Sequence, residues 1–109
     1  MALRTSDFDA IYRGPSRRQR SEHFLVLAQP NQRGETRWGI SVKSRLGGAV
    51  VRNRMKRRVR EILRRAELPG NWDIVVQPRT ARVATDRFED LRSELTSLLA
   101  RALKETEKE

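Results

Sequence analysis

The chain has 109 residues, with 24 Lys and Arg against 14 Asp and Glu, a formal net charge of +10, and 37% hydrophobic residues. That is the size of one domain with a lean core. With no cysteine and a single histidine, His23, it excludes disulfide frameworks, thiolate zinc sites, thiol nucleophiles and imidazole-rich metal centres. No apolar run nears the roughly 20 residues that span a bilayer, and Met1-Ala2-Leu3-Arg4-Thr5 lacks a signal peptide's apolar stretch. The expectation is a soluble, cytoplasmic domain over residues 1–109 whose partner is a polyanion and not a membrane.

In chain order, Ser6 is placed to cap a short helix carrying Phe8, Ile11 and Tyr12 at i, i+3 and i+4, and Gly14-Pro15 stops it. Ser16 to Ser21 reads as a basic connector. Phe24-Leu25-Val26-Leu27 reads as a strand and Pro30 to Gly34 as a turn. Arg37 to Lys43 alternates, with Trp38, Ile40 and Val42 on one face and Arg37, Ser41 and Lys43 on the other. The two strands are expected to form an antiparallel hairpin with one polar, cationic face.

Gly47-Gly48 breaks the chain before a long helix over 51–67, whose stripe is Val51, Met55, Val59, Ile62, Leu63 and Ala66. Pro69-Gly70-Asn71 ends it. Trp72 to Val76 is continuously apolar at its centre, the mark of an interior strand. The last helix is expected from Thr85 or Asp86, with Glu89 completing a capping box and Phe88, Leu91, Leu95, Leu98, Leu99, Ala102 and Leu103 as its apolar stripe. The acidic tail over 104–109 is expected to fray. The order is helix, strand, strand, helix, strand, helix, a small α/β sandwich.

The charge is concentrated. Residues 52–65 hold eight basic side chains and one acidic, net +7, whereas 66–109 are net −2. On a helical wheel Asn53, Arg57, Arg60 and Arg64 lie opposite the apolar stripe, flanked by Arg54, Lys56 and Arg58, with Arg52 at the helix start. Glu61 alone cannot balance such a face through i,i+4 pairing. Guanidinium forks match phosphate oxygens, and Asn53 can address a base edge or a 2′-hydroxyl. The helix N-terminus adds partial positive charge.

The stretch Gly48-Ala49-Val50-Val51-Arg52-Asn53-Arg54-Met55-Lys56-Arg57-Arg58-Val59-Arg60-Glu61 resembles the Arg-Asn-Arg signature of the bacterial ribonuclease P protein subunit. Asp7-Phe8 with Tyr12-Arg13-Gly14, Gly39-Ile40-Ser41-Val42, and Asp73-Ile74-Val75-Val76 with Arg79 resemble other parts of that family in the same order. The resemblance implies an α/β (α+β) two-layer sandwich like domain 2 of ribosomal protein S5, with a left-handed βαβ crossover. It implies a subunit of an endoribonuclease in which a large RNA, with Mg²⁺ held mainly by RNA and substrate, removes the 5′ leader of precursor tRNA. No catalytic or metal-ligating side chain is then expected from the protein, a monomer bound 1:1 to the RNA.

By the same resemblance, Arg52, Asn53, Arg54, Lys56, Arg57 and Arg60 face the catalytic RNA. Arg58, Arg64, Lys43 and Arg45 extend that basic surface. Phe8, Tyr12 and Arg13 are expected at a cleft for the single-stranded leader, where aromatic faces stack on unpaired bases, and Phe24, read first as a core residue, is expected to share it. Three other functions compete. One is a small ribosomal-type RNA-binding protein with no role in cleavage. Another is a DNA reader using the basic helix. The last is a protein-only nuclease built on Asp86, Glu89, Asp90 and Glu94.

Overall fold

The structure, a computed structural model, describes residue 3 and residues 5–104. The expected frayed tail, apart from Lys104, lies outside the described residues. Strand β4 (Trp72–Pro78) runs through the middle, and its Ile74, Val75 and Val76 are fully buried. Successive strand side chains point to opposite faces, so such a run needs cover above and below. Burying each of these side chains contributes about 1.5–3 kcal/mol.

Both edges of β4 are paired. Strand β2 (Phe24–Pro30) runs antiparallel to it, and β3 (Arg37–Ile40) runs parallel, with Gly39 opposite Val75. Strand β1 (Arg17–Arg20) pairs antiparallel with the outer edge of β2, giving the order β1-β2-β4-β3. The expected hairpin of β2 with β3 is therefore not formed. The apolar run of β4 takes the interior place between them.

Three helices cover the sheet. Helix α2 (Ala49–Arg65) lies between β3 and β4 in sequence and makes the crossover that a parallel pair requires. Its Met55, Val59, Ile62 and Leu63 pack with Leu91, Leu95 and Leu98 of α3 (Phe88–Ala102) against Phe24, Val26, Ile74 and Val76. On the opposite face α1 (Thr5–Arg13) buries Ile11 on Leu27 and Val75, with Phe8, Tyr12 and Leu25 partly buried beside them. The α/β sandwich expected from the sequence is the observed architecture, with α1 added on part of the second face.

Several local expectations change. Ser16 to Ser21 is not a connector throughout, since Arg17–Arg20 is β1. Its Arg17 guanidinium lies 5.1 Å from the Trp72 ring centroid and reaches the Ala102 and Lys104 carbonyls, so a four-residue polar segment is held as an edge strand. Ser6 lies inside α1 rather than capping it. The face of β3 expected to be open and cationic holds Arg37 buried. Its guanidinium binds Asp73 at 3.0 and 2.7 Å and Asp7 of α1 at 3.2 and 3.4 Å, tying that helix to the sheet.

The capping box at the start of α3 does not form either. Arg87 occupies the cap position without a side-chain bond, and Glu89 pairs with Arg92 at 2.9 Å. Asp86 is committed elsewhere, to His23. This histidine, expected at the surface, is only 8% exposed. Its Nε2 lies 2.7 Å from Asp86 and its Nδ1 2.8 Å from Glu94, while Glu94 also accepts from the Ser21 hydroxyl and the His23 backbone N–H. The cluster ties the β1–β2 turn to the start of α3.

Burial pulls the His23 pKa down, but the hydrogen bonds to Asp86 and Glu94 and the Glu94 charge outweigh it, and the net shift is upward. Glu94 is lowered: burial opposes this, and bonds from Ser21 and His23 overcome it. Asp86 is lowered chiefly by its bond to His23. A raised histidine stabilises the fold below its unfolded pKa, and that stability is lost as pH rises through the folded pKa. Lowered carboxylates stabilise above their unfolded pKa and lose that as pH falls through the folded one. Urea titrations should therefore show stability declining as pH rises from slightly acid through neutral, and His23→Gln should flatten the decline. Equal slopes in both proteins would refute the role given to the imidazolium.

Candidate nucleic-acid interface

Gly47 has φ of +152°, a backbone region that L side chains rarely adopt, and a Cβ there would crowd the Val51 side chain at about 3.0 Å. This turn lets the chain enter α2 directly after the 3-10 turn Ser44–Leu46. Gly48 caps the helix without a side chain, so its first N–H groups point outward with the helix's partial positive charge. Arg52 reaches back to the Gly47 carbonyl at 3.0 Å, which fixes the entry.

Beyond that entry, Asn53, Arg54, Arg57 and Arg64 are exposed, and Lys56 and Arg60 are half-buried. Arg65 pairs with Glu61 at 2.8 Å. Among the described residues no carboxylate pairs with Arg54, Lys56, Arg57, Arg60 or Arg64. These cations repel one another across a solvent-facing surface, a cost that a polyanion would reverse. Arg58 stands apart from them. Its Nη1 donates to the Val83 carbonyl at 2.8 Å, and its guanidinium sits 5.8 Å from the Phe88 ring centroid. It fastens α2 to the segment before α3 while keeping one side towards solvent. Lys43 and Arg45 are exposed on the approach to the helix, as expected.

One flank of α2 meets α1 across the β3 edge. Phe8, Trp38, Ile40, Lys56, Arg60 and Arg64 line an open groove of about 510 Å³ there. The floor is possible because residue 39 is glycine: the Phe8 ring lies directly on it, and a Cβ at that position would overlap the ring. An aromatic ring, an indole and three cations along one groove can take a single-stranded polynucleotide, with bases on the apolar surfaces and phosphates on the cations.

Tyr12 points further along the same sheet face, and its hydroxyl accepts from Gln77 Nε2. Arg13 is exposed at the C-terminal end of α1. Phe24 is not with them. It is fully buried in the core under α2 and α3, because β2 alternates and it is Leu25 and Leu27 that pack on the α1 side. Its reading as a core residue agrees with the structure, and its share in the cleft is corrected on that ground. Trp38, Gly39 and Ile40 belong to the groove but were expected only as strand residues. The signal available was the small Gly39 between two large apolar neighbours, which marks a close approach.

The carboxylates considered for a protein-only nuclease do not form a centre. Asp86 and Glu94 hold His23, and Glu89 holds Arg92. Among the described residues no group of three or more His, Cys, Asp or Glu is arranged to hold a metal ion.

The family model described as Ribonuclease P matches residues 3–103. The chain is 43% identical over 101 residues to the ribonuclease P protein component of Erythrobacter litoralis, covering 89% of this chain and 80% of that one. It is 42% identical over 81 residues to the component from Roseiflexus castenholzii, covering 72% of this chain and 66% of that one. Among solved structures, the ribonuclease P protein of Thermotoga maritima superposes with a TM-score of 0.83 at 37% identity, covering 93% of this chain and 96% of the other. That of Staphylococcus aureus superposes with a TM-score of 0.76 at 26% identity.

The Gly39 contact gives a test of the groove by itself. Gly39→Ala must push the Phe8 ring off the strand, at a cost of about 1 kcal/mol, since only the end of one ring has to move. Binding of a single-stranded oligonucleotide should weaken severalfold while the thermal midpoint moves by a few degrees. Unaltered binding would show that the Phe8 position is irrelevant to the groove.

Proposed function

The chain belongs to the ribonuclease P protein family, and from that membership we propose how it serves as the protein subunit in tRNA 5′ maturation. The exposed face of α2 docks on the ribonuclease P RNA, and the groove beside Phe8 takes the 5′ leader of precursor tRNA. The observation that carries this reading is the row of cations on α2, without a carboxylate partner among the described residues, bordering an aromatic groove. The match over nearly the whole chain sets aside a ribosomal-type protein with no role in cleavage.

In this reading the division of labour follows from the side chains present. Arg57 and Arg60 hold phosphates, Asn53 meets a base or ribose, and Arg52 sets the helix entry against the RNA. Arg54, Lys56 and Arg64 widen the phosphate contact, and Lys43 and Arg45 extend it ahead of the helix. Phe8 and Tyr12 receive leader bases, and Arg13 meets the leader backbone. The surface is lined by guanidinium, ammonium, amide and aromatic groups, which do not fit Mg²⁺. The ion belongs on phosphate oxygens of the RNA and the substrate, and phosphodiester hydrolysis is carried by the RNA. The complex holds one protein per RNA and works in the cytoplasm.

Two measurements test the reading. Reconstituted with a bacterial ribonuclease P RNA, the protein should stimulate leader removal at low Mg²⁺, where RNA phosphates are least well neutralised. Absence of stimulation would sink the proposal, and cleavage without RNA would point to a protein nuclease instead. Arg57→Ala and Arg60→Ala should each weaken binding to the RNA and reduce the dependence of log K on log salt by about one. A slope that does not move would mean these side chains do not touch phosphate.

A further inference from the structure

Among the described residues the sheet face under α1 is only partly covered. Residues paired across strands share a face, and the register places Arg18, Leu27 and Val75 in one row and Arg20, Leu25 and Gln77 in the next. Ile11 covers the Leu27 and Val75 end of the first row. The second row is bounded by Tyr12, through its bond from Gln77. Where both rows reach the β1 edge, Arg18, Gln19, Arg20, Leu25 and Arg79 line a groove of about 340 Å³.

The cations of this groove are unspent. The pleat sends Arg17 to the other side, onto Trp72 and the end of α3, and leaves Arg18 and Arg20 exposed on the α1 side. Arg79 is exposed beyond the end of β4, with one side-chain bond, to the Ser21 carbonyl. Among the described residues no carboxylate pairs with any of the three.

We propose that Arg18, Arg20 and Arg79 form a second phosphate-binding site, which takes single-stranded RNA after it crosses Tyr12 and Gln77. Resting on the leader reading above, it holds leader nucleotides farther from the RNA-docking helix than those beside Phe8. Guanidinium forks grip backbone oxygens whatever the base, and Leu25 supplies an apolar floor for ribose or base. The sheet is four strands wide, about 14 Å from β3 to β1, so a few nucleotides reach from Phe8 to Arg20. Charged residues on an edge strand also discourage pairing with another chain. That role covers Arg18 and Arg20 but not Arg79, which lies outside the strand.

The test compares precursor tRNA with leaders of about three and about ten nucleotides, bound to the holoenzyme reconstituted with its RNA. Arg18→Gln with Arg20→Gln, and separately Arg79→Gln, should lower the ratio of long- to short-leader affinity, by about five- to tenfold for the double variant. The double variant should also lower the long-leader salt slope by about 1.4. An unaltered ratio overturns the proposal, including the case where the variant merely self-associates. So does weaker binding of the RNA subunit without leader-length dependence, which would assign the patch to that RNA. Failure of the unsubstituted protein to stimulate cleavage is a different result: it removes the leader reading itself.

Discussion

The fold turns on one strand that has no exposed side to spare. With Ile74, Val75 and Val76 all buried, β4 requires a neighbour on each edge and a layer on each face. Strand β2 meets the first edge as an antiparallel partner. The second edge goes to β3, which precedes β4 and runs parallel to it, and a parallel pair cannot be joined by a tight turn. The connection must cross over the sheet, and α2 is that connection. The most cationic segment of the chain is thus fixed across the core by the same requirement that buries β4. Its apolar stripe is consumed by the core, so its arginines are left facing out.

The arginines divide into those the fold uses and those it leaves. Arg37 is enclosed by Asp73 and Asp7, Arg58 is held by the Val83 carbonyl and Phe88, and Arg17 lies on Trp72. Each holds one element to another: α1 to the sheet, α2 to the turn before α3, and β1 to the end of α3. Removing the partner of a buried ion such as Arg37 costs several kcal/mol, because the remaining charge stays desolvated. Arg54, Lys56, Arg57, Arg60 and Arg64 on α2 and Arg18 and Arg20 on the β1 edge are of the other kind, since among the described residues no carboxylate pairs with them. Such charge contributes nothing to the isolated fold and raises its self-repulsion. A partner that brings negative charge would offset that repulsion.

Much of this could be read from the sequence because the strongest patterns are long. The stripes of α2 and α3 each run over several turns, and the Arg-Asn-Arg segment sits on the first of them, so helix, buried face and cationic face came together. What was hidden depends on contacts far apart in the chain. The four residues Arg17 to Arg20 contain no apolar side chain, and only their pairing with β2 makes them a strand. The neighbours of β3 follow from where β4 goes, a choice absent from Arg37 to Ile40 themselves. His23 looked like a surface residue because Asp86 and Glu94 lie 63 and 71 positions away. Residue type allowed Phe24 both the core and the cleft, whereas the phase of β2 gives it to the core alone. The same phase, read across to β1, brings Arg18 and Arg20 to the side where Tyr12 stands.

The two faces of the sheet are therefore built to different standards. The face under α2 and α3 buries a cluster of 18 residues, from Phe24 to Leu103. Among the described residues the face under α1 buries three, Ile11, Leu27 and Val75, and Asp7 on Arg37 also holds α1 there. Local opening is easiest where buried apolar contact is least. The thick face gives α2 a rigid base, which the proposed docking of its arginines on a folded RNA would require. The thin face offers shallow grooves and the half-buried aromatics of one short helix, the kind of surface that the proposed binding of a single strand would use.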